Sequence, residues 1–141
     1  MHLDLANSLE MSAATLGRLP MSEVRTAEIE GWVDTGAIHL ALPKTIVDQL
    51  GLEVAGQTRA TFANGTTEMR DWVRHVWLSM GGREGVFKAI VEPGREDALI
   101  GAVVMEDLDM YVDPVTKECL PRDPEVMLSE IGSDAIPPTP R

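Results

Sequence analysis

Polar and apolar positions alternate most regularly over residues 27–33, where Ala27, Ile29, Gly31 and Val33 interleave with Glu28, Glu30 and Trp32. A period of two predicts a half-buried strand. This strand delivers the chain directly into Asp34-Thr35-Gly36-Ala37. An apolar run over residues 38–42 follows. Pro43 and Gly51 then bracket a predicted short helix with Ile46, Val47 and Leu50 on its inner side. Upstream, residues 1–20 fit two patterns. Leu3/Leu5 and Leu9/Met11 alternate as in strands, whereas Leu5, Leu9 and Ala13 would share one helix face. The stretch from Gly17 to Pro20 ends whichever of the two forms.

Strand spacing returns downstream. Residues 58–62 and 66–69 flank Asn64-Gly65, the best two-residue hairpin signal in the chain. Residues 73–80 are apolar on both faces, as in a strand covered from both sides. Gly81-Gly82 and Pro93-Gly94 mark turns on either side of a strand at 86–91. Ala98-Leu99-Ile100-Gly101 runs into helical spacing at Val104, Met105 and Leu108. Residues 111–120 read as a last strand or hairpin, with Asp113-Pro114 at its turn. The sum is a mostly β domain with two short helices.

Composition narrows the function classes. A chain of 141 residues that is 44% hydrophobic can build one domain with a real core. Aromatics are only 4%, so that core rests on aliphatic residues, whose β-branched members favour strands. Twelve basic residues against 23 acidic ones give a net charge of -11, which works against nucleic-acid and anionic-membrane partners. Cys119 is the single cysteine, so one chain forms neither an internal disulfide nor a cysteine zinc site, and the thiol reads as incidental. No stretch approaches the roughly 20 apolar residues of a membrane span. Met1-His2-Leu3-Asp4 lacks the basic region and apolar run of a secretory signal, so a cytoplasmic protein is expected.

Asp34-Thr35-Gly36 in isolation reads equally well as a turn, with Asp and Gly placed for backbone reasons. Its context adds meaning. The triplet follows an alternating strand and precedes an apolar run, and a second strand ends in Leu99-Ile100-Gly101 directly before a helix. With Leu42-Pro43, Leu50-Gly51-Leu52, Asp113-Pro114 and Leu120-Pro121, these pieces resemble, in order and spacing, the retropepsin-like (clan AA) aspartic peptidases, including the small bacterial members. The resemblance spans residues 22–122. It implies a closed β-barrel, one lobe per chain, and an endopeptidase built as a homodimer acting on peptide or protein substrates without metal or cofactor. Residues 1–21 then read as an N-terminal segment, either a dimer strand or an activation piece. Residues 123–141 read as an acidic, Pro-rich tail expected to be mobile.

The chemistry explains why half a site per chain suffices. Two carboxylates about 3 Å apart share one proton and so provide a base and an acid together. The resemblance assigns that role to Asp34 from each subunit, with Thr35 bonding across the dimer axis and Gly36 permitting close backbone approach. It places Ala37 and Ile38 beside the substrate and Asn64 and Gly65 at the tip of a closing flap. Two positions depart from the family: Ile38 stands where relatives carry Ser, Thr or Asp, and Ala102 where retroviral enzymes carry Arg. One packed contact between them is the expected replacement for an ion pair. His39 and His75 read as structural or surface residues. Asp107, Asp109 and Asp113 read as a solvated acidic face, since calcium-loop spacing is absent.

Two other classes compete. The segment from Leu42 to Leu52 also resembles the short helix of swapped-hairpin antitoxin-type DNA-binding domains. Its surroundings hold Lys44, Arg59 and Arg70 against Asp34, Asp48, Glu53 and Glu68, which is not the basic surface such a domain needs. The third reading keeps the fold and drops the catalysis, as a silent binding or dimerisation module.

Overall fold

The structure, a computed structural model, describes residues 1–61 and 64–123. The expected acidic tail lies outside the described residues, apart from Asp123. Nine strands and three α-helices are present among them: β1 His2–Asn7, α1 Ser8–Thr15, β2 Thr26–Val33, β3 Leu40–Pro43, α2 Lys44–Leu50, β4 Val54–Thr61, β5 Thr67–Met80, β6 Arg83–Glu92, β7 Ala98–Ile100, α3 Ala102–Asp107, β8 Met110–Val112 and β9 Cys119–Pro121. A single 3-10 turn, Met21–Glu23, precedes β2.

Six strands close on themselves in the order β1-β2-β7-β3-β6-β5 and back to β1. The β2–β7 and β3–β6 pairs are parallel and the other four antiparallel. Closure leaves these strands without an open edge. Strand β4 stands outside the ring and pairs with β5, while β8 and β9 form a separate two-stranded ribbon. Inward side chains fill the barrel, among them the fully buried Leu3, Leu5, Leu40, Leu42, Leu78 and Ile100. The alternation read in β2 is what the barrel uses: Ala27 and Gly31 are buried, while Glu28, Glu30 and Trp32 are exposed.

The N-terminal ambiguity resolves into both patterns in succession. Strand β1 places Leu3 and Leu5 in the core, and a helix follows at Asn7, whose side chain accepts from the Glu10 amide. The expectation of two helices is thus corrected to three. The added helix, α1, has no buried residue, and Leu9 from the helix face read in the sequence is exposed, so the pattern there carried little weight. Residues 1–7 are continuous with the barrel, and their removal would strip a core strand.

The hairpin also differs from its signal. Among the described residues, pairing of β4 with β5 ends at Thr61–Thr67. Asn64 Oδ1 accepts from the Thr66 amide (3.0 Å) and hydroxyl (2.6 Å), a side-chain turn that competes with a two-residue turn. The two strands expected at 66–69 and 73–80 are one 14-residue strand, β5. A bulge between Val73 and Val76 puts His75 at φ 66° and separates the half that pairs with β4 from the half that pairs with β1. His75 is exposed and belongs to this bend.

Candidate active site

Strand β2 ends at Val33 and lies parallel to β7, with Trp32 opposite Leu99 and Val33 opposite Ile100. The Asp34 amide continues this ladder, donating to the Ile100 carbonyl at 3.0 Å. The chain then turns, with the Ala37 amide donating to the Asp34 carbonyl at 3.0 Å. Inside that turn the Asp34 carboxylate oxygen Oδ1 accepts from the Gly36 amide at 2.9 Å. The second oxygen, Oδ2, carries no hydrogen bond among the described residues. Asp34, Thr35 and Gly36 are all exposed in the single chain.

The loop is clamped from behind. Helix α3 begins at Ala102, and its first amides would be unsatisfied within the helix. Ala102 donates instead to the Ala37 carbonyl (2.8 Å) and Val103 to the Ile38 carbonyl (2.9 Å). Gly101 makes this approach feasible, because a Cβ there would lie 2.4 Å from the His39 carbonyl oxygen and 2.6 Å from the Ile38 carbonyl carbon. Backbone hydrogen bonds join the two segments, and the Ile38 side chain is 64% exposed. His39 is half-buried, and its desolvation, with the nearby Lys88 charge, lowers its pKa.

Beside the loop runs an open groove of about 670 Å³. Asp34, Gly36 and Ala37 form one wall, and Thr61, Arg70, Glu92, Gly94, Arg95 and Leu99 complete it. Thr35, Ile38, Asn64 and Gly65 do not line it; Asn64 and Gly65 are exposed in the β4–β5 connection. Arg70 is held by Glu92 (2.7 Å) and Glu68 (3.1 Å), and these hydrogen bonds raise its pKa. Sequence reading missed Arg70, Glu92 and Arg95. The first two meet only through the β5–β6 pairing, 22 residues apart, and Arg95 hides in a turn after Pro93-Gly94.

Elsewhere, His2, Asp4 and Glu28 bring three ligand atoms within 4.8 Å of one another on the outer face of β1 and β2. All three side chains are exposed, with His2 Nε2 3.2 Å from Asp4 Oδ1 and 3.3 Å from Glu28 Oε1. Asp109 pairs with Arg122, and Asp113 accepts from the amides of Val115 and Thr116, so these acidic residues serve local turns. Cys119 is half-buried with its thiol 3.7 Å from the Met105 sulfur, and burial raises its pKa. The segment after Leu42 forms α2 within the one barrel rather than a swapped hairpin. No helix among the described residues is long and apolar enough to cross a membrane.

A closed six-stranded barrel, with Asp-Thr-Gly after one strand and a hydrophobic-hydrophobic-Gly strand clamped beside it, defines the class: a retropepsin-like lobe. A family model described as aspartyl protease matches residues 21–104, and the chain belongs to that family. Among solved structures it is similar to the simian foamy virus (mac) protease in solution, at 13% identity and a TM-score of 0.45, over 56% of this chain and 81% of that one. A search of curated proteins found no match.

Proposed function

We propose that the protein is an aspartic endopeptidase acting as a homodimer, with one Asp34 from each subunit in a shared catalytic pair. The observation that carries this reading is the Asp34 turn itself. Its carboxylate is fixed at Oδ1 by the Gly36 amide, is open at Oδ2, and stands exposed at the edge of a groove. An exposed carboxylate on a clamped loop is preorganised for a partner rather than for the chain's own core.

In the pair, one carboxylate takes a proton from a water while the other, protonated, delivers its proton to the leaving nitrogen. Water attacks the peptide carbonyl between them, giving a tetrahedral adduct whose C–N bond then breaks, so no covalent bond to the enzyme forms. The Thr35 hydroxyl reaches across the axis to the partner's backbone and stiffens both loops. The substrate lies extended along the groove with Ala37 beside it, and Ile38, outside the groove of the single chain, meets it in the assembled dimer. The β4–β5 hairpin, with Asn64 and Gly65 at its connection, closes over it as a flap. Apolar side chains flanking the cut suit the walls formed by Ala37 and Leu99.

Asp34→Asn keeps the shape of the side chain and removes the carboxylate. The wild type is expected to cleave a mixed peptide library between about pH 4 and pH 7, and the variant to lose at least about a thousandfold in rate. Equal behaviour of the two proteins would leave the silent binding module as the reading.

A further inference from the structure

We propose that Arg95 selects substrates carrying a carboxylate, placing an acidic group of the bound peptide near the residues at the cut. The inference rests on the peptidase reading for its site and adds a substrate class to it. Arg95 lines the groove that Asp34 borders. It is half-buried, with its Nε donating to the Asp97 carbonyl at 3.0 Å, so the side chain is anchored through its inner nitrogen.

That bond leaves four N–H donors on the two terminal nitrogens. Among the described residues none of them meets an acceptor, and no carboxylate forms a salt bridge with Arg95. The obvious internal candidate is turned away, because the Asp97 carboxylate accepts from the Trp32 indole at 3.0 Å. The other groove arginine differs: Arg70 already has both Glu92 and Glu68.

A chain of net charge -11 repels acidic peptides over most of its surface. An arginine without a carboxylate partner among the described residues, inside the groove, is the local exception. Covering the groove with substrate removes water from that fork, and a planar guanidinium accepts a carboxylate through two parallel hydrogen bonds. The carboxylate has two sources, a Glu or Asp side chain or the peptide C-terminus.

The test uses peptides of matched apolar sequence with a single Glu or Gln walked through the positions around the cut. Each carries an amidated C-terminus, and the Gln series is repeated with a free one. Binding is measured on the full-length Asp34→Asn protein and cleavage on the wild type. At one position, Glu is expected to exceed Gln by about tenfold in both assays. Arg95→Gln should bring that ratio close to one, and Arg95→Lys should retain part of it. Preference confined to the free C-terminus would assign the same pocket to the chain end.

A Glu-to-Gln ratio near one in the unaltered groove, for side chains and C-terminus alike, overturns the proposal. So does a preference that survives Arg95→Gln. Glu-selective binding without any cleavage by the wild type overturns the peptidase reading and leaves the Arg95 assignment standing. Absence of both binding and cleavage overturns both.

Discussion

Gly101 sits where two backbone segments pass too closely for any side chain, and this crossing sets the position of Asp34. A methyl group there would push on the backbone of Ile38 and His39, which cannot swing aside as a flexible side chain could. Gly101→Ala is therefore expected to cost about 3 kcal/mol, measured by denaturant unfolding. A loss under about half a kcal/mol would mean that the crossing is looser than it looks. The Asp34-Thr35-Gly36 turn was legible in the sequence because it is compressed into adjacent residues behind an alternating strand. The Leu99-Ile100-Gly101 partner was legible as a motif, yet its function as a clamp was not, since that depends on amides 65 residues away in sequence meeting the Ala37 and Ile38 carbonyls. Arg83 is a similar case. It is buried, donates to the carbonyls of Leu108 and Asp123, and nothing local marks it as different from a surface arginine.

At the scale of elements, α1 shows how a helix holds without an apolar face. Asn7, itself buried, caps the helix start through Oδ1 and donates through Nδ2 to the Leu50 carbonyl at the end of α2. Glu10 then clasps Arg25 just before β2, and these hydrogen bonds lower its pKa below the ordinary glutamate range. The folded chain therefore holds a proton on Glu10 less readily than the unfolded chain does. Stability from the clasp is complete above about pH 5 and is lost as pH falls through the lowered folded value. Glu10→Gln should accordingly be less stable than the wild type near neutral pH, and the difference should close in acid. Matched urea titrations at both pH values check this, and a gap that persists in acid would contradict it. Helix α2 was readable because Pro43 and Gly51 punctuate it, with Gly51 taking the left-handed φ of 65° at its end. The β4–β5 connection misled because Asn64-Gly65 is a strong hairpin pair, while Asn64 spends its side chain on Thr66 instead.

For the molecule as a whole, ring closure explains why the sequence pattern gave the class but not the wiring. Alternation marks each strand and its buried face. It says nothing of which strands neighbour each other, and here the first strand joins the second to the fifth. A closed barrel leaves the Asp34 loop as an exposed edge, and in the proposed dimer two such edges make one site. The most direct measurement is hydrolysis by wild-type protein mixed with an equal amount of Asp34→Asn chain after subunit exchange. If each active dimer needs both carboxylates, random pairing leaves a quarter of the dimers competent, so activity per wild-type chain should fall to about half. An unchanged rate after demonstrated exchange, or no hydrolysis by the wild type at all, would contradict a site shared between two Asp34 carboxylates.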